Sequence, residues 1–509
     1  MATGTYVLEI AWDGSTSTFT ATGANVTART FRVEFTRGRG ESSQLTGRSI
    51  AGNLQAVLNN ESGDYNSYNS TGPLSGSLLP GRLVQFRATG PTAGTLWTGY
   101  IDKIIPGPSI KGRDTAVIEA HGPLGRLNQK ELSLPHTSSI DTGTAVALIL
   151  TEAGWPSGGS FRDLDAGKTT IVRHWEDRRR TMEALRRVEE TEAGFIRESG
   201  KGQIVFENRH RRLTSPYTTS QAIFTDSSTG TLVYQGIEQE DPLPFLFNDF
   251  QTMVNRFTTG STGTLWILSE TGTASPIIHP SSTRTFFAPY PNPTSTLNSI
   301  GVVTWITPTA TTDWNIFTDQ AATGTNLNGS STIAVTSFVN SLKITLTNNS
   351  TSVGYVTKLQ AQGIPLLKSD PVVIRTEDVD SGTRYGERTF SSRAGFVPST
   401  DEAKDWGDWH VALYKDPTPR LRMSYVANKD NAHLTQAILR EVSDRITVVA
   451  TGTRNNLGIN RDFFIERVHH VIEADRTHRV TYYLSEAEQF SDAWTLDVSN
   501  LGTNSRLTY

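Results

Sequence analysis

Up to about residue 125, apolar and polar residues alternate in short runs. Phe31-Arg32-Val33-Glu34-Phe35 and Val84-Gln85-Phe86-Arg87-Ala88 place every second side chain on one face, the period of a half-buried strand. Trp97-Thr98-Gly99-Tyr100-Ile101 and Ala116-Val117-Ile118-Glu119-Ala120 extend the set. Gly38, Gly40, Pro80-Gly81, Gly90-Pro91 and Pro106-Gly107-Pro108 punctuate it. Short strands between such breaks predict a barrel or a sandwich.

The period changes near Leu127. Ala145, Leu148, Ile149 and Ala153 recur at helical spacing within 140–153, with Asp141 placed as N-cap, Gly154 past the end and Pro156 beyond it. A second helix is predicted from about Arg178 to Glu192, with Met182, Leu185 and Val188 on one stripe. Phe195–Glu198 and Ile204–Glu207 flank a Gly200-Lys201-Gly202 turn and read as a hairpin. Residues 128–215 therefore form a small α+β domain on this reading.

Strands return from about 216. From Phe257 to Thr357 the charged residues are few, and Thr, Ser, Asn and Gly dominate. Trp266, Phe286-Phe287, Trp305, Trp314 and Phe317 recur there, and Leu342–Leu346 alternates. Disordered segments lack such spaced aromatic anchors, so 257–357 is predicted to be an inserted, threonine-rich β-sandwich. Further on, Pro398 followed by Ser399-Thr400-Asp401-Glu402 has the form of a capping box, opening a helix that Pro417 ends. A further helix is predicted over about 432–442. Ile446–Val449, Phe463–Arg467 and Arg479–Leu484 read as strands, and the tail 491–509 is polar. No tandem repeat of fixed period is visible.

Composition mostly excludes. The 509 residues are 36% hydrophobic and 19% charged, both low for a globular chain, which favours several thin domains over one thick core. A net charge of −4 gives no globally cationic surface for nucleic acid or membrane. With no cysteine, disulfides, thiolate metal sites and cysteine nucleophiles are all ruled out. The N-terminus carries no basic-then-apolar signal, and no apolar run of about 18 residues is long enough to span a bilayer.

Candidate chemistry is thin. Gly167-Lys168-Thr169 matches the end of a phosphate loop, but Arg162 stands where the first glycine is required, so a plain turn is expected. His469 and His470 lie in a strand and point to opposite faces, so a surface or interface pair is expected rather than a metal site. His174, Glu176 and Asp177 could serve acid–base chemistry, yet the two acids fit the start of a charged helix. Arg178, Arg179, Arg180, Arg186 and Arg187 are the one candidate basic interaction face, for phosphate or a partner. The run Glu207–Arg212 is expected to be solvated at a strand end. No GxSxG elbow occurs. No catalytic residues, cofactor or metal are assigned, and the chain is not read as an enzyme.

Four stretches, in order, resemble one family. The first holds Arg37-Gly38-Arg39, Gly52–Asn60, Gly63-Asp64-Tyr65, Leu79–Val84 and Trp97–Ile101. The second holds Glu192–Phe195 and Ile204–Arg209, and the third holds Gly363, Asp378 and Tyr385-Gly386. The fourth holds Phe464–His470, His478, Leu484 and Trp494–Asp497. Together they are similar to the minor tail proteins of long-tailed bacteriophages, in the tail-tip or baseplate hub group.

The resemblance implies a mainly β chain with α+β parts, built from two barrel-like hub domains, an α+β domain and an inserted β-sandwich. The domains would be 1–127, 128–215, 216–256 with 358–490, and 257–357, followed by the tail 491–509. It implies a structural protein of the virion tail, assembled in the host cytoplasm, most often as a homotrimer whose barrels mimic a six-fold ring. The implied partners are further copies of the chain, the distal tail protein ring, the tape-measure protein, tail fibre or tip proteins, and DNA in transit. Ring formation, host attachment and genome ejection are the implied functions. The alternative is a carbohydrate-binding adhesin, with exposed aromatics of the sandwich stacking on a host surface glycan.

Overall fold

The computed structural model describes residues 4–40, 48–109, 112–240, 243–290, 299–392, 395–452 and 457–487. The tail 491–509, with Trp494–Asp497, lies outside the described residues. Strand makes up 47% and helix 17%, so the chain is mainly β with α+β parts, as the alternation implied.

The first unit has six strands: Thr5–Ile10, Thr30–Gly38, Asn53–Asn59, Leu83–Thr89, Ala93–Gly107 and Thr115–His121. They pair in the order first, fourth, fifth, sixth, third, second. The segment before the second strand closes the ring against the first: Val26 N donates to Leu8 O and Ile10 N to Ala24 O. Every second residue faces in, including Leu8, Ile10, Phe35, Leu54, Val84, Phe86 and Ile118.

The second unit has the same connectivity. Its strands are Ile223–Thr225, then Leu232–Val233 continuing as Gly236–Glu240, then Arg420–Val426, Arg445–Ala450, Ile459–Ile472 and His478–Glu486. Taken in chain order, first again neighbours fourth and second, fourth neighbours fifth, fifth sixth, sixth third, and third second. The difference is one of direction. The first strand here runs parallel to its neighbours, whereas its counterpart runs antiparallel.

One strand joins the two units. The first half of Ile459–Ile472 pairs with Arg445–Ala450 of its own barrel. Its second half pairs with the first barrel, from Gly38 opposite Arg467 to Val33 opposite Ile472. The apolar interiors merge into a single cluster running from Leu8 to Leu484.

The α+β part sits between the barrels in sequence. It contains α1 (Pro123–Leu127), α2 (Thr142–Glu152) and α3 (Thr181–Glu192) with the hairpin Phe195–Glu198 and Ile204–Glu207. Asp141 caps α2 by accepting from Thr144 N, and Gly154 follows at φ 74°, as read from the sequence. The helix predicted from Arg178 starts later, at Thr181. Arg178–Arg180 instead end the strand Thr170–Arg180, which also holds Glu176 and Asp177.

Glu240 and Arg420 are paired, so residues between them leave and return at one point of the second barrel. This excursion rests on Asp249–Thr259 paired with the 24-residue strand Gly354–Glu377. The expected limits at 257 and 357 fall inside these two strands. Then come α4 (Val379–Tyr385) and α5 (Thr400–Tyr414), the latter capped by Ser399, which accepts from Glu402 N. The reciprocal half of the capping box is replaced, since Glu402 accepts from Thr169 Oγ1 instead. Beyond them, Ser282–Pro289, Ser341–Asn348 and Ser331–Ser337 form a second sheet. It packs Phe286, Ile344 and Leu346 on Trp314, Ile316 and Val356. The helix α6 (Asn431–Leu439) is capped by Asp430 and turns Leu434, Ala437 and Ile438 into the main core. Among the described residues no helix is long and apolar enough to cross a membrane.

Candidate functional site

The joining strand carries a bulge at Glu466: Ile465 pairs with Leu484, but Arg467 pairs with Tyr483. A bulge shifts the parity of the side chains, and here it sends a carboxylate inward, leaving Phe463 to Glu466 all buried. A lone carboxylate there would cost several kcal/mol, on the order of the effective burial penalty of an ion. Two arginines offset that cost. Arg212, from the α+β part, donates Nη1 to Oε1 at 2.7 Å and Nη2 to Oε2 at 3.0 Å. Arg39, from the first barrel, donates to Oε2 at 2.9 Å, and Ser485 Oγ donates to Oε1 at 2.5 Å. Burial alone would raise the Glu466 carboxyl, but Arg212 and Arg39 overrule it and bring it down to about 2.

Charged groups continue outward from this point. Glu207 accepts from Arg197 Nε at 2.7 Å and from Ser443 Oγ at 2.6 Å. Arg37 of the first barrel pairs with Glu441. Glu198 is held differently. Its carboxylate accepts from the backbone N–H groups of Gly52 and Leu124. Burial pushes it up to about 7, against the lowering pull of those two N–H groups and of Arg37. The three parts of the chain are thus fastened by carboxylates, buried at Glu466, Glu207 and Glu198 and half-buried at Glu441, each supplied with a donor from another part.

A second fastening uses neutral rings. His470, on the joining strand, stacks on Phe35 with centroids 4.6 Å apart. Its Nδ1 lies 2.9 Å from His478 Nε2, and His478 Nδ1 lies 2.9 Å from Tyr6 Oη. Burial lowers both imidazoles, His478 to about 3. His469 points the other way, to Glu34 at 3.0 Å. The opposite orientation was legible in the sequence. Of the surface or interface pair expected, His469 is half-buried and His470, 1% exposed, lies at the joint between the two barrels.

The other sequence candidates are accounted for. Gly167 N donates to Asp141 Oδ1, while Lys168 N and Thr169 N donate to Glu192 Oε2, each at 3.0 Å. The phosphate-loop-like turn therefore holds the chain's own carboxylate. His174 and Glu176 are buried 3.9 Å apart, and burial lowers His174 to about 4. Of the candidate basic face, Arg179 and Arg187 converge on Glu176 Oε2, each at 2.8 Å. Arg186 pairs with Glu189 at 2.6 Å, and Arg178 and Arg180 are exposed. The run Glu207–Arg212 is not a solvated strand end, because Glu207 and Arg212 are among the most buried charges in the protein. Among the described residues no group of three or more His, Asp or Glu could hold a metal.

Sequence reasoning missed the inward turn of Glu466, and gave the two barrels only through the family resemblance. A signal for both exists: Ile101-Asp102-Lys103-Ile104 echoes Ile465-Glu466-Arg467-Val468. Asp102 sits at the same bulge of the fifth strand, since Ile101 pairs with Ala120 and Lys103 with Glu119.

No family model and no curated protein matches the chain. Solved structures do. The 43 kDa tail protein of prophage MuSo2 from Shewanella oneidensis is 10% identical, with 96% of this chain and 99% of that chain covered, at a TM-score of 0.50. A tail protein from Neisseria meningitidis MC58 is also 10% identical, with 97% and 99% covered, at 0.49. Over 96% of its length the fold of this chain is similar to that of the MuSo2 tail protein.

Proposed function

We propose that the chain is a structural hub of a phage tail tip, located in the virion tail and assembled in the host cytoplasm. Copies form a ring that closes or extends the tail tube. One observation carries this reading: two six-stranded barrels of the same connectivity, joined edge to edge by a shared strand. A subunit that already contains two like units side by side is half-way to a ring of twice as many units as chains. A homotrimer would present six.

On this reading the partners are the distal tail protein ring, the tape-measure protein and fibre or tip proteins, with DNA passing transiently through the lumen. The role in host attachment and genome delivery is mechanical. The reading is non-enzymatic, and the buried titratable groups support it because they are engaged in holding the parts together. Imaging tail tubes assembled with and without the chain tests the proposal. Density at one tube end only when the chain is present is the expected result, and tubes that ignore the chain would refute it.

One observation keeps the adhesin reading alive. Phe287 is 60% exposed on a threonine-rich face, with Thr283 and Thr285 on the same strand. The other aromatics weigh against it, since Phe286 and Trp314 are core and Trp266 and Trp305 pack against it. A glycan array probed with the whole chain decides, with binding lost in Phe287→Ala as the outcome that favours an adhesin.

A further inference from the structure

We infer that a cavity between the α+β part and the base of the excursion binds a carboxylate carrying one apolar group. That is the chemistry of an apolar C-terminal residue of a polypeptide, or of a free aryl or alkyl acid.

The cavity measures about 190 Å³. Three segments far apart in sequence meet around it: the strand Thr170–Arg180, the strand Asp249–Thr259 and residues 396–398 ahead of α5. Its walls are mainly apolar, from Val172, Phe257, Phe396, Val397 and Pro398. Trp175 braces two of them, edge-on to Phe257 at 5.0 Å and to Phe396 at 6.2 Å between centroids. A dry apolar cavity of about 150 Å³ takes up benzene, so this one has room for one ring or branched side chain with a small polar head.

Two arginines set the charge of that head. Arg173 and Arg256 line the cavity, and no acid lines it among the described residues. Arg179 on the same strand and Arg187 on the helix after it are paired with Glu176, whereas neither Arg173 nor Arg256 has a carboxylate partner among the described residues. Arg173 donates Nη1 to His136 Nε2 at 3.4 Å. Burial, helped by Arg173, lowers His136 to about 4, so the imidazole is neutral and takes up none of the charge.

A bulge holds Arg256. Val254 pairs with Val372 but Arg256 with Ser369, so Asp370 and Pro371 stand opposite Asn255 alone. The Asp370 carbonyl accepts from Arg256 Nε and Nη2 at 3.2 and 3.0 Å, and Nη1 is left without an acceptor among the described residues. Bulges re-aim side chains, and here the successive residues Asn255, Arg256 and Phe257 all line the cavity.

Two guanidinium groups without a carboxylate select an anion, and their planar forks match a carboxylate. The apolar walls exclude a wholly hydrated anion, because inorganic phosphate would leave Phe257 and Phe396 uncovered. The walls belong to both the α+β part and the excursion, so the bound ligand would fasten one to the other.

Calorimetric titration of the full chain with N-acetylphenylalanine, and separately with its amide, tests the site. The acid should bind at least about tenfold more tightly than the amide, the size of a lost charged hydrogen bond. Arg173→Gln and Arg256→Gln should each remove most of that difference. A peptide ending in phenylalanine with a free carboxylate separates the two sources: binding as tight as the acid assigns the site to a chain end, and exclusion of the peptide while the acid binds assigns it to a free acid. Equal binding of acid and amide, binding of neither the acid nor the peptide, or inorganic phosphate binding as tightly as the acid would each overturn the inference. None of these results bears on the ring reading.

Discussion

Arg212 grips both oxygens of Glu466 across 254 residues of sequence, at 2.7 and 3.0 Å. The pair is almost wholly buried, with side chains 3% and 1% exposed. It ties the α+β part to the strand that both barrels share.

Removing one partner leaves an uncompensated buried charge. Arg212→Met and Glu466→Gln are each expected to cost about 3–5 kcal/mol in urea unfolding. The double variant should cost clearly less than the sum, because the two changes remove one interaction. Additive losses would show that the pair does not act as a unit.

The imidazole chain gives an acid limit. His470 and His478 are both lowered from 6.5, His478 to about 3. The unfolded chain therefore binds these protons first. Their contribution is whole above about pH 6.5 and is lost as pH falls toward 3. A melting series from pH 7.5 to 5 should show the loss, and His478→Gln, less stable at pH 7.5, should show a flatter profile.

Glu198 acts in the other direction. Its folded carboxyl is raised to about 7, from an ordinary 4.5. The folded chain holds that proton longer, so the contribution is full below about pH 4.5 and lost as pH rises through 7. Glu198→Gln should remove this part of the slope between pH 5 and 8 in the same melting series.

Two glycines should respond oppositely to alanine. A Cβ on Gly52 would lie 2.3 Å from Glu198 Oε1 and 2.8 Å from Thr36 O, so Gly52→Ala should destabilise by about 1–3 kcal/mol. Gly382, inside α4, has nothing within 4 Å of that position, and Gly382→Ala should stabilise by up to about 1 kcal/mol. Chemical denaturation of both variants checks the contrast.

Local signals in the sequence carried the local structure. The Asp141 cap, the hairpin around Gly200-Lys201-Gly202 and the alternation of Leu342–Leu346 all appear where the residues place them. The arginine run misled, because Arg178–Arg180 suit ion pairs at helical spacing. Arg178 in fact takes φ 45° at the end of a strand, and the helix begins only after it. The site was hardest to read. Glu466 turns inward only because of a bulge, and a bulge is set by the partner strand rather than by local alternation. The pairing of Val33–Gly38 with Arg467–Ile472 joins segments more than four hundred residues apart, which no local period records. The echo of Ile101-Asp102-Lys103 in Ile465-Glu466-Arg467 was the available clue, and it gains meaning once the two barrels are compared.

The central claim is that this two-barrel chain builds a ring. Light scattering on the purified chain over a concentration series, with particles from the same fraction imaged, tests it most directly. The account predicts a mass near three times 55.8 kDa and particles with six lobes around a central hole. A monomer at all concentrations that also fails to bind tail-tube ends would contradict it.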